Sequence, residues 1–202
     1  MYRPYKLILA LFCGAFLNTT QADNSLIDAN IFYTAPDAGG SDDFHTGKIL
    51  SVNYNHYALP WLAVTSGFFA SEEIADNTRT DIVGTYRPSI KTHGFTIGLR
   101  PEFIFSKRNK IYGHAGILLY KTSLKVEEYF APGLPSGSST EATDGNGYFI
   151  SLGWAHSFTK KISFQFELKT LRQLDLYDGK TTAQNVFDMN YTGFSLGMAY
   201  AF

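Results

Sequence analysis

The stretch that most constrains what this chain can fold into is its last, residues 188–202, DMNYTGFSLGMAYAF. Side chains alternate between the two faces of an extended backbone, so Phe194, Leu196, Met198, Tyr200 and Phe202 share one face, and Gly193, Ser195, Gly197, Ala199 and Ala201 the other. A half-buried strand of a soluble sheet sets polar groups opposite its apolar face; here the second face is small instead. That combination suits the lumen of a narrow barrel whose outside meets lipid, with Phe202 falling where an interfacial aromatic girdle would lie.

The other end of the chain is expected to be removed. Arg3 and Lys6 precede an apolar run over 7–16, and Thr20, Gln21 and Ala22 put small residues where a signal peptidase reads them, so residues 1–22 read as a secretory signal and 23–202 as one domain. Cleavage takes the formal charge from −1 to −3 by removing two cations, and it removes Cys13, the single cysteine. The remaining chain then has no disulfide, thiol nucleophile or thiolate metal site. A charge so near neutral argues against a nucleic-acid partner. No later segment reaches the ~18 uninterrupted apolar residues of a membrane helix, but a closed barrel needs only about ten alternating residues per strand.

Alternating segments recur along the chain. They fall at 26–34, 48–57, 61–70, 94–105, 111–126, 147–158, 162–171 and 188–202, which predicts eight strands. Segment 71–93 is long and charged. Counting its inner part, 81–87, as a membrane strand would give nine, whereas single-chain bacterial barrels have an even number, so it is placed above the membrane as part of the second loop; ten strands is the alternative. The polar tract at 127–146 reads as a mobile loop. The links ALP, SKRNK and TKK are short and carry Lys107, Arg108, Lys110, Lys160 and Lys161. The other links are long and acidic, with Asp37, Asp42, Asp43, Glu72, Glu73, Asp76, Glu127, Glu128, Glu141, Asp144, Asp175 and Asp178. Short turns on one side and long loops on the other predict an antiparallel up-and-down transmembrane β-barrel with short periplasmic turns and long extracellular loops.

The order FTIGLRPEF, a basic turn, IYGHAGILLYK, GYFISLGWAHSF, a turn, ISFQFELK and the terminal GFSLGMAYAF resembles the small eight-stranded outer-membrane barrels of the OmpX and OmpA-barrel kind. The resemblance implies residence in a Gram-negative outer membrane among lipid and lipopolysaccharide, and delivery by the barrel assembly machinery. Phe194, Leu196, Met198, Tyr200 and Phe202 would then form the assembly signal. It transfers no catalytic residue.

Four charges, Arg100 and Glu102 with Glu167 and Lys169, are expected inside the lumen, where an internal salt-bridge network is favoured over a narrow ion path. Tyr57, Trp61, Phe105, Tyr112, Phe158, Tyr200 and Phe202 are expected in the aromatic girdle. An enzyme is disfavoured. His156 and Ser157 are adjacent and so point to opposite faces, and the His-x-Ser arrangement of the lipid A deacylases, which the chain resembles in architecture, is missing. His45, His56, His93 and His114 have no metal-ligand spacing, so no metal or cofactor is expected beyond divalent cations that the acidic pairs 42–43, 72–73 and 127–128 would share with lipopolysaccharide phosphates. Function is expected in the outer loops, as surface interaction with a host or surface ligand or as envelope integrity. The alternatives are a narrow channel for small hydrophobic or ionic solutes, as in barrels resembling OmpW, and lipid A modification.

Overall fold

A computed structural model describes residues 25–38, 44–75, 78–82, 84–130, 136–176 and 187–202. The expected signal segment 1–22 lies outside the described residues, as do Asp42, Asp43, Asp76 and Asp178. Eight long strands are present: β1 Ser25–Ala38, β2 Gly47–Leu59, β3 Leu62–Ser71, β4 Gly84–Ile104, β5 Asn109–Phe130, β6 Gly137–Ser157, β7 Ile162–Leu176 and β8 Phe187–Ala201. Each pairs antiparallel with its neighbour in sequence, β1 pairs with β8, and β3 pairs with β4, so the sheet closes into a ring. Closure satisfies the strands' backbone polar groups without water, the condition for crossing a bilayer. At the seam Ile27 faces Tyr200 and Ile31 faces Leu196, and the Ser25 and Phe202 backbones exchange hydrogen bonds of 3.3 and 3.0 Å.

The period-two pattern maps directly onto this ring. Ile27, Ile31, Leu50, Val52, Phe68, Leu99, Ile117, Leu119, Ile150, Leu152, Leu168, Phe194, Leu196 and Met198 are exposed on the outside, while Asp28, Asn53, Thr65, Arg100, Ser151, Gln165 and Ser195 are buried inside. The Ile117-Leu118-Leu119 run, whose facing the sequence blurs, resolves on the same period: Leu118 is fully buried between two exposed neighbours.

Two expectations about length are corrected. The segment 84–93 is the outer half of β4, with the two-residue pieces Ile74–Ala75 and Arg79–Thr80 paired to it, and the polar tract 137–146 is the outer half of β6 rather than a loop. Both are strands because β5 runs on to Phe130 and pairs with both, Arg87 opposite Glu127 and Thr140 opposite Lys125. A polar strand far above an apolar band leaves no hydrophobic alternation to read. Strands β4, β5 and β6 are thus 21, 22 and 21 residues long. At ~3.3 Å per residue this is roughly 70 Å, well over twice a hydrocarbon core, so the three form a paddle beyond the apolar band at the long-loop end.

Two of the expected girdle residues are corrected as well. Tyr112 is 2 % exposed and lies inside the lumen, and Tyr57 is half-buried on the inward face of β2. Each falls on the inward parity of its strand, and Gly153 on β6 leaves the space that the Tyr112 ring fills: a Cβ there would lie 2.6 Å from the Tyr112 Cε2 and hydroxyl atoms. Trp61, Phe105, Phe158, Tyr200 and Phe202 are exposed on the outside near the short turns, joined by Trp154 and by His156, whose ring lies 5.9 Å from Trp154 and 5.4 Å from Phe158.

Candidate functional site

The short-turn half of the lumen is organised by one buried carboxylate, Asp28 on β1. Its Oδ1 accepts hydrogen bonds from the Asn53 amide at 2.6 Å and from the Asn30 amide; its Oδ2 accepts from the Asn55 amide at 2.7 Å and from the Arg100 guanidinium at 3.1 Å. Arg100 also donates from Nε to Glu102 at 2.9 Å, and its Cζ lies 3.8 Å from the Tyr112 ring centroid. Glu102 takes Lys110 Nζ at 2.8 Å, and Lys110 in turn donates to the Tyr57 hydroxyl at 3.3 Å. Each charge therefore meets an opposite charge, as buried ions require, while Arg100 Nη2 is buried with no hydrogen-bond partner among the described residues.

Glu167 and Lys169 belong to a different group. Glu167 accepts from the Ser151 hydroxyl and lies 3.9 Å from His114 Nδ1, while Lys169 Nζ lies 5.4 Å from the Phe149 ring centroid and 5.9 Å from that of Phe32. So the four charges expected as one network divide in two. Arg100 and Glu102 sit two apart on one strand and Glu167 and Lys169 two apart on another, and Asp28, not Glu167, is the long-range partner of Arg100. Asp28 is absent from the four charges expected in the lumen; its signal in the sequence is an acidic side chain on the face of segment 26–34 opposite Ile27 and Ile31.

Toward the long-loop end the lumen changes character. Phe32, Ile49, Phe69, Ile74, Ile90, Leu118, Tyr120, Phe149, Leu171, Leu176, Met189 and Tyr191 form a buried apolar cluster, crossed by a small hydroxyl and amide group in which Gln173 donates to Thr92 at 2.6 Å and Thr122 donates to Thr92 at 2.9 Å. Buried side chains thus occupy both halves of the lumen, as a narrow eight-stranded ring requires.

The paddle carries charge of both signs on its outward face. Lys125 pairs with Glu127 at 2.6 Å, Tyr129 donates to the same carboxylate at 3.1 Å, Arg87 lies over the Tyr129 ring at 5.1 Å, and Ser89 donates to Glu73 at 2.6 Å. The hydrogen bond from Lys125 holds the Glu127 carboxyl below its ordinary range, and the same bond raises Lys125. Glu127 is thus already held by a cation of its own chain. Among the described residues no cluster of three His, Asp, Glu or Cys side chains is set to hold a metal ion.

At the outer end of β7 and β8 the ladder slips by one residue and Asp175 takes a left-handed φ of 52°. The Asp188 carboxylate holds this bulge: Oδ2 accepts from Arg172 at 2.6 and 3.1 Å, and Oδ1 from the Asp175 N–H at 3.1 Å. Those bonds, the Arg172 bond first, lower the Asp188 pKa from its ordinary 3.8. A carboxyl depressed on folding stabilises above its unfolded pKa and loses that contribution as pH falls through the folded one. Protection factors at 172–176 and 187–190, which take out the intrinsic pH dependence of amide exchange, are therefore expected to stay level from neutral pH down to about 4 and to fall below it, relative to an Asp188→Asn control.

The chain matches the family model described as outer membrane protein beta-barrel domain over residues 7–202. No curated protein matches it by sequence. In structure it is similar to Neisserial surface protein A (TM-score 0.58, 13 % identity, covering 90 % of this chain and 99 % of that one). It is also similar to the outer membrane protease OmpT of Escherichia coli (0.56, 10 %, 92 % and 99 %) and to the attachment invasion locus protein Ail of Yersinia pestis (0.53, 12 %, 90 % and 100 %). At such identities the likeness concerns the fold. With an alternating closed ring, an apolar outer face, short turns opposite long extensions and the family match all in hand, this chain belongs to the outer membrane protein beta-barrel domain family and resides in the bacterial outer membrane.

Proposed function

We propose that this protein is a non-enzymatic barrel, closed by its own side chains, that acts through the paddle and the neighbouring outer loops in surface interaction or envelope integrity. The observation that supports this reading is a lumen with a paired polar half beneath an apolar cluster of buried side chains, together with long strands that protrude at the loop end as a surface where a partner can be met. Barrels of this fold include both an attachment protein and a protease, so the reading rests on this chain's own residues. His156 Nδ1 lies 2.8 Å from Asn109 Oδ1, to which its N–H donates, among outward aromatics, and Ser157 lies on the other face of the strand, which speaks against a nucleophile and base meeting there. The closing-strand residues Phe194 to Phe202 are the surface we assign to recognition by the assembly machinery.

Two measurements test the reading. Residues 23–202, refolded and checked by heat-modifiable gel migration, are expected to stay silent in a planar bilayer; steady openings would favour the narrow-channel alternative. Replacing 72–91 and 123–142 by tight turns, which rejoin Ser71 to Thr92 and Thr122 to Thr143, is expected to leave heat-modifiability unchanged while cells lose surface binding or detergent resistance. A shortened barrel with both traits intact would overturn the proposal.

A further inference from the structure

Two of the short turns meet at the periplasmic end. Asn109 pairs with His156, so the turn at 105–108 lies beside the turn at 158–161, and the Ser157 N–H donates to the Arg108 carbonyl at 2.7 Å. Between them is a cavity of about 390 Å³ lined by Lys107, Arg108, Ser157, Phe158, Thr159 and Lys160. Three cations face it and no carboxylate does, and none of the three forms an ion pair with a described residue. Arg100, Lys110, Lys125 and Arg172, by contrast, each meet a carboxylate.

The walls are set by the turns themselves. The Ser106 hydroxyl oxygen accepts the Arg108 and Asn109 N–H groups at 3.3 and 3.0 Å, and the Thr159 hydroxyl oxygen accepts those of Lys161 and Ile162 at 3.2 and 3.0 Å. Thr159 therefore keeps its own hydroxyl proton to donate. One edge is Phe158, 60 % exposed and continuous through His156 with the outward ring of Trp154, so the opening sits against the apolar band rather than out in solution.

We propose that this cavity binds the phosphodiester headgroup of an anionic phospholipid of the inner leaflet, with a phosphatidylglycerol-type lipid as the preferred class. A phosphate supplies the charge that three unpaired cations lack, a guanidinium and two ammoniums together engage its oxygens, and Phe158 and Trp154 give the first acyl carbons an apolar surface. The site lies at the opposite end from the paddle and does not depend on the function assigned there.

The test uses residues 23–202 refolded in neutral detergent, with phosphatidylglycerol or phosphatidylcholine added and retained lipid counted by native mass spectrometry. Phosphatidylglycerol is expected to be retained in preference to phosphatidylcholine. Lys107→Gln, Arg108→Gln and Lys160→Gln should each weaken retention about fivefold, the triple variant should abolish it, and Lys125→Gln on the paddle should leave it unchanged. Heat-modifiable migration confirms that each variant is folded. Inorganic phosphate, which lacks the acyl contact, should not displace the lipid. Equal retention of the two lipids, an unaffected triple variant, or displacement by inorganic phosphate alone, the mark of a free-anion site, would each overturn the proposal.

Discussion

Arg100→Met is expected to lower the unfolding stability of the barrel by about 3–5 kcal/mol, the cost of leaving a buried charge without its partner. Arg100 is 1 % exposed and is the group through which Asp28 and Glu102 are both compensated. Removing it leaves two carboxylates inside the lumen with amides and one ammonium to hold them. Arg100→Lys is expected to recover only part of the loss. A single ammonium cannot reproduce both the Nε bond to Glu102 and the Nη1 bond to Asp28, nor the stacking on Tyr112. The check is the urea midpoint of refolded protein in lipid vesicles, measured for Arg100→Met, Asp28→Asn and the pair. A coupling of roughly 1–3 kcal/mol between them is the expected sign of direct contact. A loss below about 1 kcal/mol in Arg100→Met would mean that water, not Arg100, carries the charge of the two acids.

Phe149→Ala is expected to cost a similar amount, about 3–5 kcal/mol, for a different reason: it opens a cavity in a packed layer. Phe149 is 2 % exposed, meets the His114 ring edge-on at 4.7 Å, and packs so closely over β4 that a Cβ on Gly98 would lie 2.9 Å from its Cζ. It stands where the polar half of the lumen gives way to the apolar half, with Lys169 beside it. Its removal is expected to admit water past Lys169 and to turn a silent barrel into one with measurable, cation-disfavouring conductance. Arg100→Met, which leaves the apolar layer in place, is expected to remain silent although comparably destabilised. Silence in both would place the seal higher, at the Thr92, Thr122 and Gln173 group; conductance in both would place it in the polar half.

The two expectations rest on residues that the sequence treated unequally. Arg100, Glu102, Glu167 and Lys169 were legible as inward because each lies on the small or polar parity of a clearly alternating strand. Phe149, Leu118 and Phe32 were not legible as a lumen layer, because an apolar residue on the inward parity looks like noise in the alternation until eight strands bring such residues together. Tyr57 and Tyr112 were misplaced for a related reason: an aromatic near a strand end fits a girdle equally well from either face, and only parity counted from the observed register decides.

What the sequence by itself determined is what a clear period of two carries. The eight alternating segments, the facing of their plainly alternating residues, and the short turns with their basic side chains follow from local alternation broken by turn residues, because a strand's two faces are fixed by its own backbone. Only the tertiary structure decided what depends on ring closure and register. It brought Asp28 of the first strand to Arg100, 72 residues away, divided four charges into two groups, set two basic turns around one cavity, and drew the polar stretches 84–93 and 137–146 into a paddle against β5. Those arrangements are cross-strand, and cross-strand neighbours are set by shear and closure, quantities that no single strand carries in its sequence.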